Sequence, residues 1–182
     1  MSTSAQLSRE DCFALLLTHG TPDHVIRHCT AVCETALKLG YALNQKGYQM
    51  DLVLLQAAAL LHDIARVEER HWDVGARIAR ELGQSQVADL IQQHMTHTLD
   101  ALQYQIRELD LLCLADRMTR EDEHVGLRAR MNSILERYQG QPEIEARIRG
   151  HLEENRQIKH FIEEILGETV EELLAKPLPV IL

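Results

Sequence analysis

Six polar residues stand where an apolar helix would ordinarily bury its side chains. They are His28 in VIRHCTAV, the doublet His62-Asp63 in LLHDIAR, His71 in HWDVGARIA, His94 in LIQQHM and Asp116 in LLCLADRM. A polar group set in an apolar pattern must be hydrogen-bonded or bound to something. A lone histidine on such a face is ordinarily a satisfied core residue, and an aspartate after an apolar run is ordinarily a cap. Six together are harder to explain separately. Imidazole and carboxylate are the ligands of iron, manganese, zinc, nickel and cobalt, so the chemistry these types could share is that of a divalent metal centre.

Several neighbours compete for the same roles. His24 and His28 are four residues apart and share a helix face; His28 is preferred because it sits within the core-facing run. His94 ends a clean helical pattern, whereas His97 falls in a less regular link. Cys29 and Cys33 could join His28 in a zinc site, but one cysteine pair without a second is a weak signature. With Cys12 and Cys113 they read as buried thiols. Arg66 and Arg120 each lie a few residues beyond a candidate ligand, where a guanidinium could grip phosphate oxygens or simply be solvated. Trp72 could wall a pocket or stack on a base. Arg117, Lys38, His19, His124, His151 and His160 read as surface residues.

The elements that must position these residues are helices. Ala, Leu, Glu, Gln and Arg dominate, which favours helix, and no segment reads convincingly as a strand. The expected helices cover about 9–19, with Ser8 and Asp11 as a capping box; 21–46, with Thr21 as cap and Pro22 in the first turn; 51–63, capped by Asp51; and 71–82. Further helices are expected from Ser85, as cap, to about 95, over 108–118, 125–138 and 143–166, and over a short 170–175. Between them lie a charged connection at 64–70, an irregular link at 96–107, a polar turn at 119–123 and the break Gly140-Gln141-Pro142. The apolar, Pro-interrupted tail KPLPVIL is expected to pack on the core or on a second subunit, which leaves a homo-oligomer open.

The 182 residues suggest one domain: 1–140 carrying the site, and 141–182 a helical extension packed on it. Hydrophobic residues at 45% and charged residues at 26% describe an ordinary soluble globular chain. The net charge of -9 argues against a duplex nucleic-acid binder, though not against a local basic pocket. The polar, acidic N-terminus does not read as a signal peptide, and no apolar run is long enough for a membrane span. A cytoplasmic location is the expectation.

The ordered set His28, His62-Asp63, Asp116 resembles the H…HD…D pattern of the HD superfamily of metal-dependent phosphohydrolases. HDIAR is similar to the HDIG subgroup, with Ala65 where Gly is common. HWDVGARIARELG, followed by the LIQQHM histidine, resembles the continuation found in subgroups with a second metal. LADRMTREDEHVGLRARM looks most like HD domains associated with molybdenum-cofactor nucleotidyltransferases; symmetrical diadenosine-tetraphosphate hydrolases are similar too. The resemblance covers about Thr21–Met131. It implies an all-α HD-domain bundle and two divalent ions, iron or manganese before zinc, nickel or cobalt. In that arrangement Asp63 bridges the ions, His28, His62 and Asp116 hold the first, and His71 and His94 hold the second. It implies cleavage of a phosphoester or phosphoanhydride of a nucleotide or other small phosphorylated metabolite by a metal-activated water. Asp63, His62 and Arg66 would be catalytic, with Arg66 and Arg120 on the phosphate. Two alternatives share the pattern: an HD-type di-iron oxygenase, and a regulatory module that binds a nucleotide without turnover.

Overall fold

The computed structural model describes residues 6–97 and 105–177. Among these the chain is helical apart from one two-stranded hairpin. The order is α1 (Arg9–Thr18), α2 (Asp23–Gln45), α3 (Leu52–Leu61), α4 (His71–Glu81), α5 (Ser85–Gln93), α6 (Glu108–Met118), β1 (Thr119–Arg120), β2 (Glu123–His124), α7 (Leu127–Arg137), α8 (Pro142–Leu166) and α9 (Val170–Ala175). The all-α expectation holds.

The centre is α3, almost entirely apolar and buried from Leu55 to Leu61. Asp51 starts it, accepting from Val53 N–H and Leu54 N–H, which satisfies two donors that a helix start leaves orphaned. The helix α2 lies against it along the stripe Val25, Cys29, Val32, Ala36, Leu39 and Leu43, all buried. Contact is close at Gly40, where a methyl would come within 2.8 Å of a Leu52 methyl. On another side α4 and α5 pack on each other, with Gly75 so near that an added Cβ would lie 3.1 Å from Ile91 Cγ2 and 3.3 Å from Ile64 Cγ2. Ile158, Ile162 and Leu166 of α8 and Val170, the first residue of α9, join the same apolar core.

Several local expectations are corrected. Thr21 does not cap α2: Pro22 is its N-cap, without a side-chain bond. The Thr21 hydroxyl instead donates to the Ile64 carbonyl at 2.8 Å, because the chain just past the His-Asp doublet crosses the start of α2. Ser85 lies inside α5, whose N-cap is Gln84. The polar turn at 119–123 is the hairpin β1–β2, with Thr119 opposite His124 and Arg120 opposite Glu123. Glu121, in the left-handed region at φ 55°, reverses the chain there. Val125 and Gly126 both donate to the Met118 carbonyl, which delays the start of α7 to Leu127. Lys38 is half-buried and donates to the Leu174 and Lys176 carbonyls at the end of α9. Arg117 and His151 are half-buried rather than surface residues. The tail beyond Pro177 lies outside the described residues.

Candidate metal centre

The His62-Asp63 doublet stands where α3 stops. Beyond Leu61 the chain tightens, with Ile64 N–H donating to the Leu61 carbonyl and Arg66 N–H to that of Asp63. This turns Asp63 back toward the side chain of its neighbour. Arg70, left-handed at φ 54°, then reverses the path so that His71 opens α4 pointing inward. His28 comes from the second turn of α2, His94 follows the end of α5, and Asp116 lies in the last turn of α6.

All six candidates meet. His28, His62 and Asp116 form one group in which the three ligand atoms lie within 4.8 Å of one another, and Asp63, His71 and His94 form a second. Asp63 stands between them. Its Oδ1 is 3.0 Å from His71 Nε2 and 3.9 Å from His94 Nε2, while its Oδ2 is 3.7 Å from His62 Nε2. The His62 ring centroid lies 5.5 Å from that of His28 and 5.2 Å from that of His94.

Three rings are oriented by backbone carbonyls. His28 Nδ1 donates to Glu121 O at 2.7 Å, His62 Nδ1 to Ala59 O at 2.8 Å and His94 Nδ1 to Ile91 O at 2.6 Å. A carbonyl only accepts, so the ring proton sits on Nδ1 and Nε2 faces the centre. That orientation is the usual support of a metal-bound imidazole. His71 differs: its Nδ1 lies 3.3 Å from Arg66 Nη1 instead of against a carbonyl, so no backbone acceptor fixes its tautomer. The Nε2 atoms of His62 and His71 are buried without a hydrogen bond among the described residues, which is costly unless something else binds them. Four imidazole nitrogens and two carboxylates around those orphaned atoms suit a hard-to-borderline divalent ion.

The electrostatics agree. Burial opposes ionisation of Asp63, but His62, His71 and Arg66 outweigh it and hold the carboxyl well below the usual carboxylate range. Burial likewise opposes the Asp116 charge, and His28, with His62 and His94 behind it, outweighs that burial. Both groups are therefore anionic ligands at neutral pH. Burial lowers the basicity of His28, yet the neighbouring Asp116 carboxylate, 3.1 Å from its Nε2, raises it overall. Burial, reinforced by His62, pushes His94 down to about 4; it is a neutral donor throughout the physiological range.

The competing residues separate. His24 is exposed on α2. His97 is buried but turns away, donating to Asp110 Oδ1 at 2.5 Å. Burial raises the Cys29 thiol well above its ordinary range and Cys33 to about 12, so neither is a ready thiolate. Trp72 lies edge-on to His71, centroids 5.1 Å apart. Arg66, half-exposed, reaches Asp63 Oδ2 at 3.3 Å. Arg120 is exposed on β1, without a side-chain partner among the described residues.

Sequence reasoning missed Arg130 of α7, whose Nε–H donates to the Thr119 carbonyl at 2.9 Å. It missed also the Arg117 guanidinium and the Cys113 thiol, each 3.4 Å from the His94 carbonyl. Backbone acceptors such as Glu121 O carry no side-chain signal. Arg130 sits in a charged helix whose pattern does not say which arginine turns inward.

The fold and the site define an all-helical protein with two adjoining groups of potential metal ligands. Residues 25–121 match the HD domain family, and the chain belongs to it. HD domains bind divalent metals and are typically metal-dependent hydrolases. An uncharacterized protein of Methanocaldococcus jannaschii is 45% identical over 64 residues, which cover 34% of this chain and 38% of that one. A tRNA (cytidine(56)-2'-O)-methyltransferase of Thermoplasma volcanium is 33% identical over 90 residues, 47% of this chain and 25% of that protein. The chain thus spans well under half the length of these curated relatives. No solved structure matches it. No described helix is long and apolar enough to cross a membrane.

Proposed function

We propose that the chain is a phosphohydrolase with two divalent ions, cleaving a phosphoester or phosphoanhydride of a nucleotide or another small phosphorylated metabolite. The observation that carries this reading is the Asp63 carboxylate, with one oxygen toward His71 and His94 and the other toward His62. In this reading His28, His62 and Asp116 would hold one ion, His71 and His94 would hold the other, and Asp63, placed between the two groups, would serve both. When bound, such ions lower the pKa of a water and polarise phosphoryl oxygens.

The chain's own residues do the rest. The Ala59, Ile91 and Glu121 carbonyls hold three imidazoles in the tautomer that presents Nε2. Only two carboxylates belong to the ligand set, so two divalent ions leave excess positive charge to attract phosphate. Arg66 and Arg120 add to it, and guanidinium forks match phosphate oxygens. This local field runs against the overall charge of -9, which favours a small anionic substrate over a long polyanion. A di-iron oxygenase would use the same ligand types; the arginine flank supports phosphate chemistry instead. The test is incubation with Mn²⁺ or Fe²⁺ and a panel of mono-, di- and dinucleotides beside Asp63→Ala. Product from the wild type alone is expected. Oxygen consumption without phosphate-bond cleavage would overturn the reading.

A further inference from the structure

Three side chains outside the two ligand groups hold the segment that carries His94. Asp110, Cys113 and Arg117 lie three and four residues apart on α6 and so share a face. All three reach the stretch from His94 to His97. Arg117 Nη2 and Cys113 Sγ each donate to the His94 carbonyl at 3.4 Å. Asp110 Oδ1 accepts from His97 Nε2 at 2.5 Å, and both side chains are buried. The other carboxylate oxygen, Asp110 Oδ2, accepts from Arg107 N–H at 2.8 Å. The carboxylate that closes the first turn of α6 therefore also anchors the chain beyond α5.

Helix α5 ends at Gln93, and the last carbonyls of a helix have no partner within it. Here Leu90 O accepts from His94 N–H, and Ile91 O accepts from the His94 ring. The His94 carbonyl is left to α6. A guanidinium placed there also faces the negative end of the α5 dipole. The His94 ring is thus set from two sides. Ile91 O fixes its rotation, and Arg117 with Cys113 fixes the backbone from which it hangs. Asp116, next to Arg117 in the chain, belongs to the other ligand group. One helix carries a ligand of the first group and the supports of a ligand of the second.

We infer that Arg117, with Cys113 and the Asp110–His97 bond, is a positioning residue for the second metal group, so that α6 sets the spacing between the two groups. This deepens the two-ion reading above and rests on its assignment of the ligands. His97, which competes with His94 on sequence alone, acts as the support of His94 and not as a ligand. Metal–ligand distances tolerate only about 0.2 Å of error. A histidine hung from a loosened helix end therefore binds more weakly even with its ring intact.

The test is Mn²⁺ binding and not turnover. His28→Ala isolates the second group and His71→Ala the first; each is titrated calorimetrically with Mn²⁺, with and without Arg117→Met. In the His28→Ala background Arg117→Met should lower the affinity about tenfold or more, the usual worth of an outer support of a metal ligand. In the His71→Ala background it should change the affinity by less than about twofold. Arg117→Lys, which keeps the cation, should recover part of the loss. His97→Leu should behave as Arg117→Met does, whereas His97→Gln, whose amide can still donate to Asp110, should restore most of the affinity. Circular dichroism of the metal-free proteins checks folding. If Arg117→Met does not fold, Arg117→Lys and the His97→Gln and His97→Leu pair decide by the same criterion. Equal loss in both backgrounds, or loss in neither, would overturn the inference. A wild type that binds two Mn²⁺ ions while those comparisons fail leaves the ligand assignment standing and removes the support alone. A wild type that binds no Mn²⁺ removes both.

Discussion

Acidification should empty the two metal groups at different pH values. A ring nitrogen must lose its proton to bind a metal, so affinity is full above the histidine's pKa and falls as pH drops through it. His28, in the first group, has its pKa raised above the ordinary 6.5 by Asp116 despite burial. His94, in the second, is pushed down to about 4 by burial and by His62. At pH 5.5, His28 alone therefore costs the first group more than about tenfold in apparent affinity, about 1.4 kcal/mol. His94 costs the second group almost nothing there. The variants that isolate the groups are His71→Ala, keeping the first, and His28→Ala, keeping the second. Mn²⁺ affinity of each is measured by calorimetry from pH 8 to pH 5. The affinity of His71→Ala should begin to fall at a higher pH than that of His28→Ala. Coincident curves, or the reverse order, would refute the electrostatic account of the two groups.

Three further outcomes are expected. Elemental analysis of His71→Ala should find one ion per chain rather than two, and Asp63→Ala should lose both ions and activity; two ions in His71→Ala would move the second group elsewhere. Arg66→Met should keep two ions but weaken phosphate binding roughly tenfold, about the worth of one charge-assisted bond; unchanged phosphate affinity would return Arg66 to a structural role. Thr21→Val strands the buried Ile64 carbonyl. It should cost about 1–2 kcal/mol and lower Tm by about 2–8 °C in a thermal melt, whereas an unchanged Tm would mean that this bond contributes nothing.

The helices were largely legible because their signals are local. The Ser8–Asp11 capping box, the Asp51 cap and the stripe from Val25 to Leu43 each depend on a few neighbouring residues. The gathering of His28, His62-Asp63, His71, His94 and Asp116 was anticipated from their ordered spacing and from family resemblance; periodicity alone could not say that α2, α3, α4, α5 and α6 would converge there. What escaped depends on long-range contact. Thr21 looks like a cap until Ile64 is known to lie over it. The hairpin at Thr119–His124 is too short for alternation to register, and it forms because Glu121 turns left-handed and Met118 O accepts two donors. Arg130 is one of several arginines in an amphipathic stretch, and only the packing of α7 against α6 selects it.

The central claim is that the six residues hold ions that activate water against a phosphate bond. The most direct measurement combines metal content and product formation on one preparation, wild type beside Asp63→Ala, with Mn²⁺ and a nucleotide panel resolved chromatographically. The expected result is two ions and a dephosphorylated or cleaved nucleotide from the wild type, and neither from the variant. Full metal content in Asp63→Ala, or a fully loaded wild type that cleaves no nucleotide or other phosphate compound, would contradict it.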